Sequence, residues 1–136
     1  MYKNILIGID LNHEADYARE LHVAAHLAED NNARLTALSV LPPIPAYVAG
    51  QVPKEAVEAA SEDAMHHLRR IIGPTSEIAS EIRHGAPADE LMAYAAAHDI
   101  DCIVIASHRP GLKDYFLGST AARVVRHAAC SVHVIR

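Results

Sequence analysis

Two kinds of hydrophobic period alternate along the chain. Ile5, Leu6, Ile7 and Ile9 form a short, nearly unbroken apolar run from Lys3 to Asp10. A run of that kind suits a strand covered on both faces. Ala18, Leu21, Ala25 and Ala28 then recur at three- and four-residue intervals, the signature of a helix with one apolar face. Asn12 is placed to cap that helix, Glu14 and Asp16 suit its first turn, and Asn31-Asn32 ends it. A second strand follows from Arg34 to Val40. Pro42, Pro43 and Pro45 predict a helix-free loop through Gly50, the longest in the chain.

Pro53 is placed as a first-turn proline of the next helix, whose expected buried face is Val57, Ala60, Ala64, Leu68 and Ile71. Gly73-Pro74 stops that helix. The stretch from Glu77 to Arg83 alternates and predicts an edge strand. His84-Gly85-Ala86-Pro87 turns into a helix with Ala88, Leu91 and Ala95 inward. Cys102 to Ala106 is a second fully apolar strand. A loop then leads to Gly118-Ser119-Thr120, which opens the last helix before the strand Ser131 to Ile135.

Strands that alternate with helices predict an α/β fold: a doubly wound parallel sheet with helices on both faces. The two most apolar strands, the first and fourth, belong at its centre. A ligand crevice is then expected where the winding reverses, between Asp10 and the loop after Ala106. The 136 residues make one domain, 1–136.

Charge narrows the partners. Lys and Arg number 12 against 17 Asp and Glu, a net charge of −5, which argues against nucleic acid. Protonating the ten histidines would carry that charge to +5, although most read as helix-surface residues. No apolar run is long enough for a membrane span, and no leader pattern precedes the first strand. Cys102 and Cys130 read as buried core thiols of a reduced, cytoplasmic protein. His22 and His26 have the helical four-residue spacing of a metal pair. With no third ligand evident, they and His66-His67 read as solvated helix faces.

The candidate chemistry collects around the crevice. Gly118 permits close backbone approach, Ser119 and Thr120 offer hydroxyls, and the helix they open supplies free N–H groups and a positive dipole. Arg109 adds a charge at the same mouth. Asp10 can accept the hydroxyls of a ribose, and Val40 ends the neighbouring strand. Taken singly, each of these residues also has an ordinary capping or core role.

The opening Ile5-Leu6-Ile7-Gly8-Ile9-Asp10, the turn His84-Gly85-Ala86-Pro87 and above all the run from Cys102 to Arg136 resemble the universal stress protein family. Ile105-Ala106-Ser107-His108-Arg109-Pro110 followed by Tyr115-Phe116-Leu117-Gly118-Ser119-Thr120 resembles the F- and G-type branch of small bacterial members. The resemblance implies a five-stranded sheet in the order 3-2-1-4-5 and, in many members, ATP accompanied by Mg²⁺. Matched position by position, it implies Asp10 at the ribose and Gly8 and Val40 at the adenine. Ala106, Ser107, His108, Arg109, Gly118, Ser119 and Thr120 match the phosphate region.

The family's Gly-x-x-Gly departs here to Ala106 and Arg109, with eight residues rather than nine before Gly118. Two readings therefore stand. One is an ATP-binding regulatory dimer with at most slow hydrolysis, since no carboxylate is evidently placed to activate a water. The other is a nucleotide-free homodimeric interaction module. The apolar last strand, with Val132, Val134 and Ile135, predicts pairing across a two-fold axis, as related proteins imply. A receiver fold is excluded because Ile82-Arg83-His84-Gly85 lacks the required aspartate, and no Walker A sequence is present.

Overall fold

The computed structural model describes residues 1–12, 17–73, 75–107 and 117–136. Strands β1 (Asn4–Gly8), β2 (Arg34–Leu41), β3 (Ala79–His84), β4 (Cys102–Ala106) and β5 (Ser131–Ile135) form one parallel sheet in the order β3-β2-β1-β4-β5. Five helices accompany them among the described residues: α1 (Ala18–Asn31), α2 (Ala46–Ala49), α3 (Lys54–Ile72), α4 (Pro87–Ala97) and α5 (Ser119–His127). The expected order and the edge position of β3 are thus observed.

The reason lies in which strands can tolerate burial. Ile5, Leu6 and Ile7 have no exposed surface, and Ile103 and Val104 have none either. Ile5, Ile7 and Val104 pack with Ala24, Ala28 and Leu68 from α1 and α3 on one face. Leu6 and Ile103 pack with Leu91, Tyr94 and Val124 from α4 and α5 on the other. Each fully buried Ile or Leu contributes about 1.5–3 kcal/mol. The half-exposed β3 forms the rim.

Several local expectations are corrected. The first helix begins at Ala18, with Tyr17 as N-cap and no side-chain cap. Asn12 instead donates its N–H to Asp10 Oδ1 at 3.0 Å, a tight turn closed by the aspartate; Glu14 and Asp16 lie outside the described residues. The proline-rich stretch contains the one-turn helix α2, because all three prolines precede it and Pro45, at φ −56°, forms its N-cap. Pro53 likewise is the N-cap of α3 rather than its first residue. Ala18 and Ala60, expected inward, are exposed, and Cys130 is half-buried rather than buried. Burial pushes the thiols of both cysteines up.

Gly85 joins β3 to α4 at φ 143°, and its N–H donates to Leu41 O at 2.9 Å. A Cβ there would meet Glu90 Oε1 at 2.8 Å. Gly85→Ala is expected to cost about 1–3 kcal/mol, read as a lower urea midpoint with unchanged slope. Gly50→Ala, where a Cβ meets open space, is the control without that loss.

Candidate functional site

The winding reverses at β1. From β1 the chain leaves through α1 toward β2. From β4, on the other side of β1, it leaves through α5 toward β5. The two departures lie on opposite faces, and in doubly wound sheets the carboxyl ends of two strands so related, here β1 and β4, are where a ligand crevice is expected.

The candidate residues lie along this edge. Gly8 pairs with Leu38, and Ile9 N–H donates to Leu38 O at 2.9 Å. Continuing the register brings Asp10, which is exposed, level with the half-buried Val40. On the other side, counting on from Ile7 and Val104 brings Asp10 level with Ser107. Ser107 is buried and fixed at both backbone groups. Its N–H donates to Ile135 O at 2.7 Å, and its carbonyl accepts from Gly118 N–H at 2.6 Å. This pair of bonds pins the start of α5 to the end of β4.

Gly118 is the N-cap of α5, and among the described residues no side chain caps the helix. The first-turn N–H groups and the positive end of the dipole therefore face the crevice mouth beside Ser119, which is exposed, and Thr120, which is half-buried. Ala106 ends β4 with an ordinary negative φ, since the only non-glycine residues with positive φ among those described are Asn32 and Asp99. His108 and Arg109 lie outside the described residues. Gly8 has a packing role: a Cβ there would approach Leu91 Cδ1 and Cδ2 to 3.2 Å, so the glycine lets α4 seat against the sheet. Beyond Leu41, residues 42–52 frame an apolar groove against α3 and His84, on the sheet face opposite the one Val40 packs into.

Sequence reasoning missed Tyr17. Burial pushes its hydroxyl up to about 12, with the carboxylates of Asp10 and Glu20 adding to the effect. Its place as the N-cap residue of α1, the helix that follows Asp10 in the chain, is the signal that could have found it. The arrangement has two polar ends: a carboxylate able to accept hydroxyl hydrogens, and a helix terminus able to receive an anion.

This is the architecture of a doubly wound α/β protein, with its candidate residues gathered at the switch point. A family model described as the universal stress protein family matches residues 1–136, and the chain belongs to that family. It is similar to the universal stress protein UspA from Lactobacillus plantarum, at 30% identity and TM-score 0.72, covering 99% of this chain and 98% of that one. A Staphylococcus aureus (strain USA300) protein named as a universal stress protein is 29% identical, over 99% of this chain and 84% of its own length. The Archaeoglobus fulgidus universal stress protein solved in complex with dAMP shares the fold at 20% identity and TM-score 0.61, covering 99% and 98% of the two chains. No helix among the described residues is long and apolar enough to cross a membrane.

A pH test follows from Tyr17. Its raised value favours the neutral phenol in the folded chain, whereas an unfolded tyrosine ionises near 10. The resulting stabilisation is complete below about pH 10 and is lost as pH rises from there through about 12. Ultraviolet titration, with Tyr17→Phe identifying the component by difference, is expected to place it in that window. Asp10→Asn should lower the Tyr17 value without restoring the ordinary one, because burial is the larger cause. A value unmoved by Asp10→Asn would show that the carboxylate does not act on the phenol.

Proposed function

We propose that this chain is an adenine-nucleotide-binding stress regulator that takes ATP with Mg²⁺ in the crevice and acts as a homodimer. The observation that carries the reading is the placement of the Asp10 carboxylate and the uncapped N-terminus of α5 on the two sides of the switch point. A nucleoside is bipolar in the same sense. Its ribose hydroxyls donate, and its phosphates accept from N–H groups and attract the positive helix end. The dAMP complex of the Archaeoglobus protein supports an adenine nucleotide as the ligand class.

In this reading Val40 borders the base, Ala106 and Ser107 form the floor, and Gly118, Ser119 and Thr120 meet the phosphates. His108 and Arg109 extend the phosphate contacts on the strength of the sequence. The described residues hold no cluster of three or more potential metal ligands. Mg²⁺ would therefore ride on the phosphates, with the Ser119 and Thr120 hydroxyls as the protein oxygens nearest to hand. With no carboxylate assigned to activate a water at the γ-phosphate, the role is regulatory and any hydrolysis slow.

Calorimetry with ATP, ADP and adenosine tests the site. Asp10→Ala should weaken all three about tenfold or more, the loss of hydrogen bonds to a charged group worth about 1.5–3 kcal/mol. Arg109→Ala should weaken ATP far more than adenosine, because it removes phosphate contacts alone. If the wild-type chain gives no heat with millimolar ATP and releases no nucleotide on denaturation, the nucleotide-free dimer replaces this reading.

Dimerisation rests on β5, an open edge of the sheet. Ser131 N–H and Ile135 C=O both bond toward β4, so the alternating Val132 and Val134 turn their backbone groups to the open side. Their half-buried side chains pack with the α4–α5 core, while Ile135 is buried on the opposite face. Val134→Pro deletes an outward N–H while leaving the β4–β5 ladder intact. Sedimentation should show a wild-type dimer and a folded Val134→Pro monomer. A wild-type monomer at micromolar concentration would remove the dimer from the proposal.

A further inference from the structure

We propose that His22 and His26 on α1 form a surface site for one divalent first-row transition ion, separate from the crevice and from any Mg²⁺ carried by a nucleotide. One helical turn separates the two residues, and both are exposed. Their ring centroids lie 4.2 Å apart with the planes inclined at 48°. Four-residue spacing alone would make them neighbours; the ring approach adds that the two imidazoles already share one patch of surface.

The second observation concerns the protons. His26 Nδ1 lies 3.0 Å from the carbonyl oxygen of His22. A carbonyl can only accept, so Nδ1 is the donor and carries the hydrogen. The lone pair of the neutral ring is then on Nε2, the nitrogen farther from the backbone. Metal-binding histidines commonly have this arrangement, in which a hydrogen bond from one ring nitrogen fixes the tautomer and points the other at the ion. His98 makes the same bond to Tyr94 O, at 3.1 Å, but stacks on a tyrosine ring that offers no ligand. At His22 and His26 the fixed tautomer meets a second imidazole.

Geometry bears on the choice of ion. Two imidazoles bound at about 2.0–2.1 Å and at right angles place their ring centroids about 4.5 Å apart, whereas a tetrahedral angle requires about 5.2 Å. The observed 4.2 Å is nearer the first value. A small side-chain rotation reaches either arrangement, and of the divalent first-row ions a pair of imidazoles holds Cu²⁺ most tightly. Imidazole nitrogens select against Mg²⁺ and Ca²⁺, which take oxygen ligands. Among the described residues no third potential ligand joins the pair, so the proposed site has two imidazole ligands from the chain there. Glu29 and Asp30, one turn beyond His26, attract a cation, and Arg19, one turn before His22, opposes it, so the two imidazoles and not the surrounding charge carry the site.

The experiment is a titration of the full chain with Cu²⁺ in a non-coordinating buffer, followed by amide NMR. At substoichiometric copper, paramagnetic broadening is expected to start at the amides around His22 and His26 and spread from there. His26→Ala should abolish that early broadening and weaken the first binding step at least tenfold, with unchanged circular dichroism because the side chain is exposed. His66→Ala, which also removes one imidazole from the chain but leaves the α1 pair intact, should change neither. Broadening that begins elsewhere, or a first binding step equal in wild type and His26→Ala, would overturn the assignment.

Discussion

The complete burial of β1 between two helical layers governs the rest of the molecule. A strand with no exposed surface at Ile5, Leu6 and Ile7 needs an apolar layer on each face and a hydrogen-bonded neighbour on each edge. Parallel neighbours require crossovers, and right-handed crossovers to the two sides of one strand fall on opposite faces. Placing β1 at the centre therefore dictates that α1 and α3 cover one side and α4 and α5 the other. The same requirement opens the crevice, because connections that leave on opposite faces cannot close over the strand ends between them. The fold's most apolar segment thus leads straight to the strand ends where Asp10 emerges, two residues past the buried strand.

Much of this was legible because burial writes itself into composition. The unbroken apolar runs of β1 and β4 mark interior strands, and the alternation around Ile82 marks a rim strand. The opening of α5 after Gly118 was also legible, since a glycine followed by small hydroxyl residues is a local signal. Features set by contact between distant segments were not. Gly8 gives no local hint that Leu91 fills the space of its missing side chain. Asn12 has the chemistry of a helix cap, but the aspartate two residues earlier takes its N–H first, and the helix begins only at Ala18. The three prolines suggest a helix-free stretch, yet a proline obstructs only the turns that precede it, and α2 lies wholly beyond Pro45. The approach of Tyr17 to Asp10 likewise joins positions seven apart in the sequence, which no local pattern announces.

The departures from the family's glycine pattern carry less weight once the source of anion affinity is considered. A glycine is indispensable where φ is positive or where backbone touches ligand. Ala106 has an ordinary φ, so the first replacement costs no backbone strain, and only a methyl group is added at the crevice floor. The N–H groups of α5 and their dipole are independent of the loop sequence; they are held in place by the bonds that join Gly118 to Ser107 and Ser107 to Ile135. Those bonds are made by backbone groups just past β4 and at the end of β5, so they do not depend on a glycine at position 106. In the proposed reading the phosphate end of the site is therefore built by the strand winding, and the loop between residues 108 and 117 adjusts affinity on that fixed base. Under that proposal the chemistry at residue 109 sets the strength of the site, whereas the winding provides the place for it.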